Sequence, residues 1–151
     1  MDKRGCTIAL FIPIFIIVLM VILYIVSAAV NDFTATEVKN DIMALPLPQN
    51  TTVEESLSRA GNLTGNGNGM QFFGAVLLKS DMSLNELEAY YDPLRPDEWH
   101  YIVERQDGKE IKPTEHPVLS FKTDIDGDNY YILYSWGDGN NLFRNFDLRG
   151  H

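Results

Sequence analysis

The chain begins with a long apolar stretch whose pattern differs from everything that follows it. Residues 6–30 carry no charge and hold 22 apolar side chains in 25 positions. As a helix this stretch would rise about 37 Å, more than the roughly 30 Å hydrocarbon core of a bilayer. We therefore predict a transmembrane helix over residues 6–30, bent at Pro13, after a cytoplasmic stub of residues 1–5.

The charges on either side of this stretch indicate its orientation. Lys3 and Arg4 precede it, whereas acidic residues dominate directly after it. The positive-inside rule then predicts a plasma-membrane protein with a cytoplasmic N-terminus and an extracytoplasmic C-terminal domain. A cleaved signal peptide is the alternative, because residues 26–28 resemble a small-residue cleavage site. The length favours an uncleaved anchor, since the apolar region of a signal peptide has about 7–15 residues.

The next segment, residues 31–48, has the pattern of a short amphipathic helix. Thr34 and Glu37 fit a capping box at its start. After the cap, one helix face would carry the apolar residues Val38, Ile42 and Leu45, which are spaced i, i+4, i+7. Pro46 disfavours helical geometry at Leu45 and should end the helix. We predict a linker helix with a proline-rich end.

Residues 49–151 alternate short apolar runs with turn signals and one further helix. Strands are predicted at 51–59, 70–79, 99–106, 118–123 and 130–136, although 51–59 also fits a helix. Ser83 and Glu86 form a capping box between the second and third strands. Asp126-Gly127 suggests a hairpin of the last two strands, and the apolar tail 142–148 should dock on the domain. The expected fold is α+β, an antiparallel sheet of about five strands with a helix on one face.

Charge narrows the class of partner. The chain has 12 Lys and Arg residues and 21 Asp and Glu residues. The only charged residues before Asn31 are Asp2, Lys3 and Arg4, so residues 31–151 carry a net charge of −10. Such a domain repels phosphate backbones, which makes nucleic acid a poor partner. Cations, neutral polymers such as peptide or glycan, and basic protein patches are compatible with it.

An aspartate-rich turn is the sharpest candidate for a metal site. Asp124, Asp126 and Asp128 match the first three ligand positions of an EF-hand calcium loop. Asn129 replaces the glycine at position 6, and Ser135 replaces the bidentate glutamate at position 12. The flanks are strand-like, so an ordinary solvated hairpin turn is the favoured interpretation. We expect no metal and no cofactor.

Aromatic residues supply a candidate binding surface. Alternation along residues 130–136 puts Tyr131 on the opposite sheet face from its neighbours. If the helix covers one face only, rings such as Tyr131, Trp99 and Tyr101 could be exposed for stacking on sugar or peptide. Core packing is the alternative for all of them.

Motifs of catalysis are lacking in the sequence. It contains no HExxH, no GxSxG elbow and no phosphate-binding glycine loop followed by a helix. We expect no enzymatic activity and predict a non-catalytic interaction domain that binds another envelope protein. A glycan- or calcium-binding surface module is the alternative, and a small hydrolase with an unrecognised acid pair is the second alternative.

Three segments together resemble a group of known proteins. These are residues 45–48 (LPLP), residues 65–71, and the pattern Ser83-x-x-Glu86-Leu87-x-x-Tyr90-Tyr91. They resemble small uncharacterised membrane-anchored proteins of Gram-positive bacteria, over residues 45–136. The resemblance implies a bacterial envelope and a short extracytoplasmic α+β domain, and it implies no functional residue.

Overall fold

The computed structural model describes residues 3–65, 69–94, 101–137 and 141–151, with side chains from residue 11 onward. Its class is α+β, as predicted. In chain order the helices and strands are α1 (Lys3–Met43), β1 (Thr51–Gly61), β2 (Gln71–Ser80), α2 (Leu84–Tyr91), β3 (Ile102–Arg105) and β4 (Tyr130–Gly137). Short 3-10 turns follow at Asp92–Leu94 and Leu148–Gly150.

Helix α1 is a single helix where the sequence suggested a membrane helix and a separate linker helix. Thr34 does not cap a new helix, because its Oγ1 donates to the carbonyl of Val30 at 3.1 Å, one turn earlier. The residues between Pro13 and Pro46 include no glycine or proline, so nothing local interrupts the helix. It ends at Met43, before the predicted stop at Pro46.

The sheet has four antiparallel strands in the order β1-β2-β4-β3, rather than about five. The predicted strand at 118–123 is absent, and so is its hairpin with 130–136. Both edges of β4 are already paired, with β2 on one side and β3 on the other. No edge of β4 is therefore left for the segment that precedes it in the chain.

The 118–123 segment satisfies its backbone in other ways. Ser120 forms an isolated bridge with Glu110. The carboxylate of Glu55, at an irregularity in β1, accepts from the backbone N–H groups of Lys122 at 2.8 Å and Thr123 at 2.9 Å. These bonds replace a strand ladder and tie the segment to β1.

Both faces of the sheet are covered. One face packs against α1 and α2, and its buried side chains include Ile42, Val76, Leu87, Tyr91 and Leu133. A second group continues this layer along α1 with Ala35, Val38 and Phe72. The other face buries Phe73, Leu77, Ile111, Phe121 and Ile132. Ile111 and Phe121 come from the long connection between β3 and β4, so this connection covers the face opposite the helices.

Helix α2 begins with the predicted capping box. The backbone N–H of Glu86 donates to Ser83 Oγ at 3.4 Å, and the backbone N–H of Ser83 donates to Glu86 Oε2 at 2.8 Å. The helix then buries Leu87 and Tyr91 against the sheet.

Removing this cap should destabilise the domain modestly. We expect Ser83→Ala to lower the free energy of unfolding by about 1 kcal/mol, because N-cap hydroxyls contribute that much on average. Urea titration of the full chain in lipid nanodiscs measures the change. Ser83→Thr keeps the hydroxyl and is the control; equal stability of the alanine variant and the wild type would contradict a stabilising cap.

The C-terminal tail docks on the domain, as predicted, but it does so through polar side chains that contact α1. Asp147 is fully buried and accepts from Asn31 Nδ2 at 3.0 Å. Arg149 bridges Asp147 at 2.7 Å and Asp32 at 2.8 Å, and its Nη2 also donates to the carbonyl of Ala28 at 3.0 Å. The large apolar side chains on which the prediction rested are exposed instead, namely Leu142, Phe146 and Leu148.

Candidate functional site

The aromatic side chains predicted to form a surface lie in the core where they are described. Tyr131 is 3% exposed and Tyr101 is 6% exposed. The hydroxyl of Tyr131 donates to the carbonyl of Met82 at 2.8 Å, which satisfies its polar end inside the protein. Trp99 lies outside the described residues. The expectation of an exposed aromatic face is wrong for the two described rings, because α1 and α2 cover that side of the sheet.

Two of the three aspartates in the candidate calcium loop, Asp124 and Asp128, pair with separate cationic side chains. Asp124 pairs with Lys109 at 2.5 Å, and Asp128 lies 3.9 Å from Arg105. The hydrogen bond and the charge of Lys109 lower the pKa of Asp124. Among the residues that the structure describes, no three His, Cys, Asp or Glu side chains are grouped so that they could hold one metal ion. The geometry therefore offers calcium binding no support.

A cleft opens at the end of the domain where α1 ends, far from the apolar stretch. Its volume is about 410 Å³. The lining residues come from the α1–β1 connection, the β2–α2 connection and α2, and they are Pro48, Gln49, Asn50, Asp81, Met82, Glu86 and Tyr90. We call it the distal cleft.

Hydrogen bonds between two chain connections build the distal cleft. Asn50 adopts a positive φ of 54°, which asparagine tolerates better than most residues. This turn directs its carbonyl to the N–H of Asp81, at 3.3 Å. Beside it, the hydroxyls of Thr51 and Ser80 share a buried hydrogen bond of 2.7 Å, and Ser80 Oγ also accepts from the N–H of Met82 at 3.2 Å. The two connections therefore hold each other in place.

The distal cleft is acidic. Glu86 accepts from the hydroxyl of Ser83 at 2.7 Å as well as from its backbone N–H, and these bonds lower the pKa of Glu86. Asp81 is exposed beside it. The seven lining residues that the structure describes include no lysine or arginine. Two carboxylates next to the Tyr90 ring form an environment that suits an ammonium or guanidinium group.

Sequence reasoning did not identify this cleft. Glu86 was recognised only as a helix cap, and Asp81 and Met82 carried no pattern of their own. The nearest signals were the proline-rich segment 45–48 and the Ser83 capping box. Each of them marks the end or the beginning of a helix, and neither indicates that the two connections meet.

Comparison of the chain with protein-family models, with curated proteins and with solved structures finds no match.

Proposed function

We propose that this chain is a single-pass plasma-membrane protein with a cytoplasmic N-terminus and a non-catalytic interaction domain outside the cell. In this proposal the distal cleft binds a basic segment of another envelope protein. The observation that carries the proposal is the continuity of α1. One helix runs from an apolar, exposed stretch directly into the domain core, where it packs through Ala35, Val38 and Ile42.

The apolar part of α1 is long and apolar enough to span a membrane. The mean hydropathy of its most apolar window is 2.9, and only 6% of that window is buried within the protein. The core helix of a soluble protein would be buried by the rest of the chain, so these exposed side chains favour a lipid environment. Lys3 and Arg4 at its start favour a cytoplasmic N-terminus.

Contacts of the tail favour an uncleaved anchor over a signal peptide. Ser27 and Asn31 are both fully buried, and Arg149 donates to the carbonyl of Ala28. Cleavage near residue 28 would cut α1 inside the stretch that the tail holds.

Because α1 is continuous, it would hold the cleft at a fixed distance from the bilayer. The helical rise from Val26, the last exposed residue of the apolar stretch before Ser27, to the end of α1 at Met43 is about 26 Å. The cleft lies next to the chain that follows Met43, so it would face outward at that distance from the bilayer. A partner in the same envelope would meet it in one orientation, without the search that a flexible linker imposes.

The chemistry of the cleft favours binding over hydrolysis. A general acid in a glycosidase needs a raised pKa so that it holds a proton at working pH. The pKa of Glu86 is lowered instead, so this carboxylate stays ionised. Acidic groups at a binding site attract a basic side chain and raise the rate at which a basic partner associates.

Site-specific photo-cross-linking in the native membrane tests the proposal. A photoreactive phenylalanine replaces Gln49, which is exposed and lines the cleft. The same group replaces exposed Val118, outside the cleft lining, as a control. We expect one discrete adduct with an envelope protein from position 49 and none from position 118.

Charge reversal then tests the role of the cleft carboxylates. Asp81→Lys should weaken the adduct about tenfold or more, because it places a like charge against the basic partner. Glu88→Lys makes the same change on an exposed position of α2 outside the cleft and is the matched control. No adduct at position 49, or one that Asp81→Lys and Glu88→Lys affect equally, would contradict the proposed site.

A further inference from the structure

The C-terminal segment 144–150, which ends in the second 3-10 turn, exposes large apolar side chains on one side. Phe146 is 55% exposed and Leu148 is 70% exposed. Neighbouring polar side chains point to the domain instead: Arg144 donates to the carbonyl of Met70, and Asp147 is buried against Asn31. The segment is therefore amphipathic: its polar side chains contact the domain, and its large apolar side chains are exposed.

These two side chains lie beside the apolar stretch of α1. Phe146 and Leu148 form one wall of a groove of about 370 Å³, whose other wall is Met20, Val21, Leu23 and Tyr24. All six lining residues are apolar or aromatic. The groove is thus continuous with the surface of α1 that the proposed function assigns to lipid.

Helix geometry gives the depth of this groove in a bilayer. The domain first covers α1 at Ser27, which is fully buried, and Val26 before it is exposed. Met20 and Tyr24 lie about 9 and 3 Å below Val26 along the helix. Interfacial helices bury their apolar faces about 5–10 Å into the boundary of headgroups and acyl chains, a range that overlaps with these depths. Tyr24, 40% exposed, sits where aromatic residues collect at membrane interfaces.

We infer that Phe146 and Leu148 form a wedge embedded in the leaflet next to the domain, and that lipid acyl chains fill the groove between the wedge and α1. This inference rests on the membrane anchoring in the proposed function. The wedge gives the domain a second attachment to the bilayer. It also determines which side of the domain faces the lipid. Leu142 is exposed but does not line this groove, so it is not part of the wedge.

Fluorescence quenching by labelled lipid tests the wedge in the full chain. Cys6 is the only cysteine, so Cys6→Ser gives a background for single labels. An environment-sensitive fluorophore is attached at Leu148→Cys, and separately at Phe146→Cys in case the first variant folds poorly. Met20→Cys reports anchoring of α1, and Leu47→Cys reports the distal end of the domain. Each variant is placed as one copy in nanodiscs that contain lipids with a nitroxide at a shallow acyl position.

We expect the label at position 148 or 146 to lose at least half as much emission as the label at position 20, and the label at 47 to lose none. Quenching at 20 without quenching at 148 and 146 would overturn the wedge and leave the anchoring intact. Absence of quenching at position 20 would overturn the anchoring itself.

Discussion

Replacing Asp147 with alanine is expected to release the C-terminal tail from α1 and to lower the free energy of unfolding by about 3 kcal/mol. The carboxylate of Asp147 is fully buried and accepts from Asn31 and from three groups of Arg149. Removing it leaves the Asn31 amide and the Arg149 guanidinium without their shared partner. Arg149 retains Asp32 and is 26% exposed, so we expect the lower end of the 3–5 kcal/mol range for broken buried pairs.

Amide hydrogen exchange shows whether the loss of stability in Asp147→Ala comes from release of the tail. The N–H groups of Asn62 and Gly69 donate to the carbonyls of Arg149 and Gly150, at 2.8 and 2.7 Å. Both should exchange faster in Asp147→Ala, whereas amides in the centre of β2 should change less. Asp128→Ala is the control, because Asp128 is 96% exposed and its pair with Arg105 contributes little. Unchanged exchange at Asn62 and Gly69 would show that Asp147 does not hold the tail.

The titration of Asp147 should also make the free energy of unfolding depend on pH. Burial alone would raise the pKa of Asp147, but hydrogen bonds from Arg149 and Asn31 and the charge of Arg149 lower it to about 2. Because the folded pKa lies below the unfolded value of about 4, the stabilisation is complete above pH 4 and is lost as the pH falls from 4 to 2. Wild type should lose about 2 kcal/mol more than Asp147→Asn over this window. Parallel curves for the two proteins would contradict the assignment.

Gly74→Val is expected to separate α1 from the sheet and to lower the free energy of unfolding by about 3 kcal/mol, the upper end for overpacking. A Cβ at Gly74 would lie 2.5 Å from the backbone N and 2.8 Å from the Cα of Lys39. Those atoms belong to the backbone of α1, so no side chain can rotate away to make room. Valine otherwise favours strands, so a loss of stability would come from this contact and not from strand propensity.

Urea titration in nanodiscs measures the effect of Gly74→Val. Gly108→Val is the matched control, because a Cβ at Gly108 has no atom within 4 Å. We expect the control to stay within about 0.5 kcal/mol of wild type. A stable Gly74→Val variant would mean that α1 does not pack closely on β2. The proposed function would then lose the rigid connection between the membrane helix and the domain.

Features set by neighbouring residues were predictable. The apolar stretch, the stop near Pro46 and the Ser83 capping box all depend on hydrogen bonds or steric contacts within a few positions. The central strand β2 was also predictable, because apolar residues on both of its faces indicate a strand buried on both sides. The tight contact at Gly74 was not predictable, because a glycine within a strand does not show which backbone lies above it.

The predictions from sequence were wrong where a local pattern competed with contacts to residues far away in the chain. Thr34 matched a cap, yet packing of Ala35, Val38 and Ile42 on the sheet favours an unbroken α1. Residues 118–123 have strand composition, but Glu55 takes up two of their N–H groups. In both cases a residue remote in sequence decides how a backbone or side-chain donor is used.

The sequence by itself determined that an apolar helix precedes an acidic α+β domain, because hydropathy, charge and periodicity are properties of consecutive residues. Only the tertiary structure decided that Tyr131 is core, that the tail docks through Asp147 and Arg149, and that Asp81 and Glu86 share a cleft. The physical reason is that burial and electrostatic pairing depend on which residues meet across the fold. Residues 31 and 147 are far apart along the chain, and only the folded chain brings them within hydrogen-bonding distance.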